Sequence, residues 1–306
     1  KAKVRSTRAT VVGVSSAATP DNLAHLSRSG RSVTDAPLGS PLARVADWPV
    51  EVAAAGAIAS NGTRSSFGNT ARPFEVASIT KLFTAVTVLI AAEEGTVTLD
   101  DPVGPPGSTL AHLLAHASGL GPDGDDPLAR PGQRRIYSNR GYEVAADHVA
   151  DRAGFPFADY QQEALFSPLA MHTTSLYGSP AHGAASSVDD LLVFMHAVLT
   201  DTVMSAQSRD RFATAQWPDL DGVLPGYGRQ SPNLWGLGAE IRGSKSPHWT
   251  SAANSPGTWG HFGQKGTMLW HDPLASTTLV ALTAQPFGPW ALTAWPDLST
   301  AVLAAN

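Results

Sequence analysis

The spacing of apolar residues changes twice along this chain, and the changes divide it into three stretches. Val50 to Ser60 reads as a strand, Asn61-Gly62 is a tight-hairpin signal, and Thr63 to Gly68 reads as the returning strand. Leu82 to Ala92 is apolar at nearly every position, interrupted by Thr84 and Thr87, and Gly95 ends the run. This predicts a buried helix. From Asp100 to about Pro232 the period is helical, at Thr109 to His116, Asn139 to Ala153, Phe157 to Leu165 and Val188 to Leu199, with Pro/Gly-rich loops between. Ser187 with Asp190 reads as a capping box, Asp standing in for Glu. Past Leu234 strand patterns return at Gly236 to Arg242, Gly266 to His271 and Thr277 to Thr283, and Trp290 to Ala305 reads as a closing helix with Pro296 as a point of kinking.

Strands at both ends with helices between predict one sheet assembled from the two chain ends and covered by helices, an α/β (α+β) architecture. The sheet part takes about 41–99 and 233–306, and an all-helical insertion takes about 100–232. A pocket is expected at the seam between them. Residues 1–40, rich in Ser, Thr, Ala and Arg, stand apart as an arm expected to lie on the body of a single domain spanning 41–306.

Composition narrows the function classes. The net charge is −5 with 15% charged residues and no basic patch in the body of the chain, which argues against nucleic acid as a partner. There is no cysteine, hence no disulfide and no cysteine-rich metal site. No apolar run reaches eighteen residues, so no membrane span is expected. Lys1 to Arg8 is basic but no long apolar segment follows, so no signal peptide is expected within this sequence. That leans the compartment towards the cytoplasm and leaves an exported mature form open.

The densest chemistry lies in Ser78-Ile79-Thr80-Lys81. Residues at i and i+3 share a helix face, so a hydroxyl and an amine stand one turn apart. A serine hydroxyl needs a neighbouring base to become a nucleophile, and a lysine with a lowered pKa can serve. At a helix N-terminus the free N–H groups and the dipole favour a developing oxyanion. Tyr137-Ser138-Asn139 follows a turn at Arg130-Pro131-Gly132, and His261-Phe262-Gly263-Gln264 lies within Trp259 to Thr267.

This ordered array resembles the serine β-lactamase and penicillin-binding-protein superfamily, in its class C β-lactamase-related branch. That branch carries Ser-x-x-Lys, Tyr-x-Asn and a third Lys/His-x-Gly element, and Leu99-Asp100-Asp101-Pro102, His116-Ala117-Ser118-Gly119-Leu120 and Trp270-His271-Asp272-Pro273 add to the likeness. The resemblance runs from about Leu42 to about Leu282. It implies the β-lactamase/transpeptidase-like fold, with an antiparallel sheet, and acyl transfer through a covalent intermediate on Ser78. Lys81 and Tyr137 would form a coupled proton acceptor, since an ammonium beside a phenol favours the phenolate and burial disfavours the ammonium. Asn139 would donate to a substrate carbonyl. The oxyanion hole would be the amides of Ser78 and of Gln264, the residue that follows Gly263 of the third motif.

His261 and Phe262 depart from the Lys-Thr-Gly pattern. A histidine near its ordinary pKa of ~6.5 is only partly charged at neutral pH, and phenylalanine has no hydroxyl to offer. Two ligands for a substrate carboxylate are weakened, unless Lys245 or Arg242 compensates from a nearby loop. The expected reaction is therefore hydrolysis of esters or amides, D-amino-acid peptides included. A true class C-type β-lactamase, a D-Ala-D-Ala carboxypeptidase, a penicillin-binding sensor with little turnover and an acyltransferase are the alternatives. The partner is a small-molecule ester, amide, peptide or β-lactam, and no cofactor is expected. His112 and His116 have zinc-helix spacing, but Leu113 stands where that motif carries its glutamate, so no metal is expected either.

Overall fold

A computed structural model of the chain describes residues 40–305, so the arm read over residues 1–40 lies outside the described residues but for Ser40. After a 3-10 turn at Pro41–Asp47 come β1 (Ala53–Ile58), β2 (Arg64–Phe67), β3 (Phe74–Glu75) and helix α1 (Thr80–Glu93). The middle of the chain holds α2 (Leu110–Leu114), α3 (Asn139–Ala153) and α4 (Phe157–Gln161), which continues as a π-helical turn at Gln162–Phe166. Then follow β4 (Ser175–Leu176), β5 (Ala184–Ser186), α5 (Val188–Leu199), α6 (Ala206–Ala213) and the hairpin β6 (Gly222–Leu224) and β7 (Gly228–Gln230). The chain closes with β8 (Glu240–Ile241), β9 (Trp259–Gly263), β10 (Thr267–Asp272), β11 (Thr277–Thr283) and α7 (Ala291–Ala304).

The main sheet is antiparallel, in the order β2-β1-β11-β10-β9-β8, so strands from the two chain ends meet at β1 and β11. Their register sets Ala55 opposite Ala281 and Gly56 opposite Val280. Alternation along these strands separates two cores. Ala54, Leu269, Val280 and Leu282 join the cluster built with α1 and α5. Ala55, Met268, Trp270, Leu279 and Ala281 join a second cluster with Trp295 and Leu298 of α7. At Gly56 any side chain would collide with α5, since a Cβ there would stand 2.6 Å from Val188 and 2.9 Å from Leu192.

Helix α1 is buried from Thr80 to Ala91, on every face. A helix that is apolar all round belongs inside a fold. Its three threonines are satisfied there: Thr80 Oγ1 accepts from Ala184 N–H at 3.0 Å, Thr84 donates to the Pro180 carbonyl at 2.6 Å and Thr87 to the Phe83 carbonyl at 2.9 Å. Helix α3 begins on a Ser138 cap, whose Oγ accepts from Gly141 N–H at 2.9 Å, and ends on Gly154 at φ 82°.

Several expectations change. The stretch read as a strand from Gly236 to Arg242 shrinks to two residues, because Gly238 adopts φ 130° and breaks the run. Half of the α5 capping box forms: Ser187 Oγ accepts from Asp190 N–H at 3.2 Å, while the Asp190 carboxylate accepts from Thr173 and Thr174 instead of turning back. Helix α7 runs through Pro296. The pattern did not announce α6 or the β6–β7 hairpin.

Candidate active site

The site is built where α1 begins. β3 delivers the chain to Ala77, which takes φ 47°, and Ser78 sits in the 3-10 turn Ala77–Ile79 that runs into α1. One turn on, Lys81 is fully buried. Its Nζ donates to Asn139 Oδ1 at 2.7 Å and to the Ala181 carbonyl at 2.9 Å, and lies 4.6 Å from the centre of the Tyr137 ring. Among the described residues no carboxylate forms an ion pair with it. Burial strips the ammonium of water and pushes its pKa down to about 7, against the pull of Asp123 and Glu143.

Tyr137 donates to Ser78 Oγ at 2.7 Å. Burial raises the Tyr137 pKa well above that of a free phenol, and the bond to Ser78 offsets this only in part. The expectation that a neighbouring ammonium would favour the phenolate is therefore corrected. Lys81 faces the ring, not the oxygen, and burial raises the one pKa and lowers the other, so both groups lean towards their neutral forms.

Asn139 is the first residue of α3. Its Nδ2 donates to Asp123 Oδ1 at 2.8 Å, which fixes the amide with its oxygen on Lys81. Asp123 was not singled out in the sequence; the loop Pro122-Asp123-Gly124 upstream of the Tyr-x-Asn element is the signal that marks it. The Ala181 carbonyl has no sequence signal at all, being backbone.

β9 supplies the opposite wall. A Cβ on Gly263 would collide with Val76 O and Thr267 Oγ1, so glycine is what lets β9 press against the turn that carries Ser78. Gln264 follows it into the wall of the cavity, and its carbonyl accepts from Phe287 N–H at 2.9 Å. His261 is buried beside Tyr137 and Trp235, with ring centres 5.9 and 5.4 Å away. Its Nδ1 lies 2.6 Å from the Phe262 carbonyl, which can only accept, so Nδ1 carries the proton. Burial pushes the His261 pKa down to about 3, helped by Lys81. The partial charge expected at His261 is thus replaced by a neutral ring. Phe262 packs into an aromatic cluster with Tyr227, Trp249, Phe287 and Trp295, at centroid distances of 5.3 to 5.9 Å.

Lys245 and Arg242 do not act as substitute carboxylate ligands. Lys245 is buried against Glu240 and donates to the carbonyls of Leu234 and Ile241. Arg242 donates to the carbonyls of Ser251 and Gly243. His112 and His116 have separate tasks. His112 Nδ1 accepts from Thr109 at the start of α2 and its ring stacks on Trp217, while His116 Nδ1 accepts from Ser138 N–H at 3.1 Å.

Ser78, Tyr137, Asn139, His261, Phe262 and Gln264 line one cavity of about 1000 Å³, with Lys81 against the ring of Tyr137 and Gly263 against the turn that carries Ser78. Part of its wall is the β6–β7 hairpin, including Val223, Leu224 and Pro225.

Comparison with known proteins bears on the fold and the family. A crystal structure of a β-lactamase from Mycobacterium bovis superposes with a TM-score of 0.85 at 52% identity, over 87% of this chain and 99% of that one. A D-amino acid amidase from Ochrobactrum anthropi shares the fold, with a TM-score of 0.68 at 18% identity over 87% of this chain and 98% of that one. The D-alanyl-D-alanine-carboxypeptidase/endopeptidase AmpH of Escherichia coli is 29% identical over 37% of this chain and 40% of its own length, so the chain spans less than half of that relative. The Beta-lactamase family model matches residues 50–302, and the chain belongs to the β-lactamase family.

Proposed function

We propose that this protein is a serine hydrolase that cleaves esters or amides through an acyl-enzyme on Ser78. The observation that carries the reading is the 2.7 Å hydrogen bond between Tyr137 and Ser78, with Lys81 buried against the same tyrosine ring. Ser78 Oγ attacks the substrate carbonyl, and its proton passes to the Tyr137–Lys81 pair. Oxygen charge develops towards the amides of Ser78 and Gln264. Expulsion of the alcohol or amine takes the proton back from the pair and leaves Ser78 acylated. Water then attacks the acyl-enzyme by the same route and frees the acid. Asn139 holds Lys81 in place and can donate to the substrate. Preorganised oxyanion donors of this kind are each worth roughly 10²–10³ in rate.

The test is covalent. A fluorophosphonate probe should add one label per chain, on the peptide that contains Ser78, and Ser78→Ala should lose both label and turnover. Wild-type turnover in Ser78→Ala would end this reading. A second reading, β-lactam hydrolysis, is favoured by the 52% identity to the M. bovis β-lactamase. A neutral His261 and an apolar Phe262 weigh against it. Comparing kcat/KM for nitrocefin, p-nitrophenyl esters and a D-Ala-D-Ala peptide separates the two.

A further inference from the structure

We infer that the Ser78 cavity takes a substrate with a large, uncharged apolar group, gripped at the mouth between Leu128 and Val223. The inference rests on the hydrolase reading and adds the substrate class to it.

Lone exposed apolar residues are ordinary on protein surfaces. These two are less ordinary because both line the Ser78 cavity although more than half of each is exposed, 56% for Leu128 and 58% for Val223. They come from separate segments, the loop before Tyr137 and the β6–β7 hairpin. Ile136, Leu224, Pro225 and Phe262 add further apolar surface to the same cavity that Ser78 lines.

Both lips are held in place. Leu128 N–H donates to the Gly119 carbonyl at 2.8 Å, and Arg134 donates to the Leu128 carbonyl at 2.9 Å. The hairpin is fastened to the segment that carries Tyr137, since Arg135 N–H donates to the Asp221 carbonyl at 2.8 Å. A Cβ on Gly222 would collide with the Arg135 backbone, so only glycine allows that approach. A preformed apolar cleft costs little ordering on binding.

The charges around the cavity point the same way. Lys265 pairs with Glu75 at 2.6 Å and Arg229 with Asp221 at 3.1 Å. Glu240 is held by Lys245, His248 and Trp249. Buried Arg135 spends its guanidinium on the carbonyls of Ala115, Gln216, Trp217 and Asn233. Arg134, the remaining cation of the wall, is engaged by the carbonyl of Leu128 itself. A carboxylate-bearing substrate would compete with these contacts, whereas an alkyl or aryl group meets apolar surface.

The experiment uses two ester series on the whole chain. In one, p-nitrophenyl esters vary the acyl group from acetyl to octanoyl; in the other, alkyl acetates vary the alcohol from ethyl to decyl. Burial of each methylene is worth up to about fourfold in affinity, so kcat/KM should rise at least about tenfold along one series, and that series assigns the lips to the acyl or the alcohol side. The double substitution Leu128→Ser with Val223→Ser should reduce the long-to-short ratio by about tenfold. Leu274→Ser, on the still more exposed turn between β10 and β11, should leave the ratio as it is. Flat series, a ratio that survives the double substitution, or preference for a p-nitrophenyl glutarate monoester recruited by Arg134 would each overturn the inference. Labelling of Ser78 by a small fluorophosphonate is measured alongside. Intact labelling with flat series removes the apolar mouth alone, and absent labelling with no turnover removes the hydrolase reading and this one with it.

Discussion

Among the described residues two lysines are buried, and they differ in what meets them. Lys81 meets neutral groups: an amide oxygen, a backbone carbonyl and the faces of Tyr137 and Tyr142. Lys245 meets the carboxylate of Glu240, together with two carbonyls. Burial lowers both pKa values, but at Lys245 the attraction of Glu240 opposes the fall. Burial by itself would raise Glu240, yet Lys245 and His248 hold it down at about 2. A carboxylate partner keeps a buried lysine charged and structural, while neutral partners leave its proton available near neutral pH. The difference lies in the partners and not in the depth of burial.

The largest expected effect breaks the comparison on the Lys81 side. Lys81→Ala and Tyr137→Phe should each lower kcat/KM by roughly three orders of magnitude, in keeping with groups that act as a unit. The double substitution should cost little more than the worse single one. Losses that add in the logarithm of the rate would place the two residues in separate steps.

On the other side, Lys245→Met should cost stability before it costs chemistry. Removing one partner of a buried ion pair leaves the other uncompensated, at about 3–5 kcal/mol. Denaturant midpoints should show this, and Glu240→Gln added to Lys245→Met should recover a large part. A rate loss for Lys245→Met matching that of Lys81→Ala, with stability unchanged, would erase the distinction between the two lysines.

The pH dependence sharpens it further. If the neutral amine of Lys81 is the working form, kcat/KM should climb about tenfold per pH unit below about 7 and level off above. The stability sign follows from linkage. Between pH 7 and 10.5, the unfolded chain holds a proton on Lys81 that the folded chain has released. Lys81 therefore weighs most against folding below pH 7, and that penalty fades as the pH rises towards 10.5. Chemical denaturation of Lys81→Met beside the wild type should show the substitution most favourable at pH 6 and progressively less so towards pH 10. A difference that stays constant with pH would mean Lys81 keeps its ordinary pKa.

Much of this was legible in the chain, and the exceptions share a cause. The bounds of α3, α5 and β11 follow from local signals such as the Ser138 and Ser187 caps and the αL glycine at 154. The Ser-x-x-Lys and Tyr-x-Asn residues do meet in space, as expected of ordered motifs. What sequence could not tell was who faces whom. Lys245 looked as free as Lys81 until Glu240 was seen beside it. His261 looked half-charged until its burial and the Phe262 carbonyl fixed its tautomer. Asp123 and the lips at Leu128 and Val223 lie on loops and a short hairpin, where no periodicity marks a side chain's neighbours.

The smallest effect expected concerns the third motif, and it returns to the lysine comparison. His261→Lys would place a second cation near Lys81, whose charge already helps to keep His261 neutral. The rings beside it, Tyr137 and Trp235, are again neutral, and the attraction of Glu240 is the smallest of the influences on this site. Such a lysine should behave like Lys81 and not like Lys245. It should hold a proton weakly and push the acid limb of the pH profile to lower pH. A hydrogen bond to a charged group is worth about 1.5–3 kcal/mol, and desolvation takes back part of it. The ratio of cephalosporin to p-nitrophenyl ester kcat/KM should therefore rise by no more than about tenfold. Phe262→Thr should be made separately, because removing that ring from its aromatic cluster costs about 3–5 kcal/mol of stability, which would mask a change in specificity. A rise of a hundredfold or more from His261→Lys alone would show that a stable cation can be held among neutral partners here, and the rule drawn from the two buried lysines would fail at its own site.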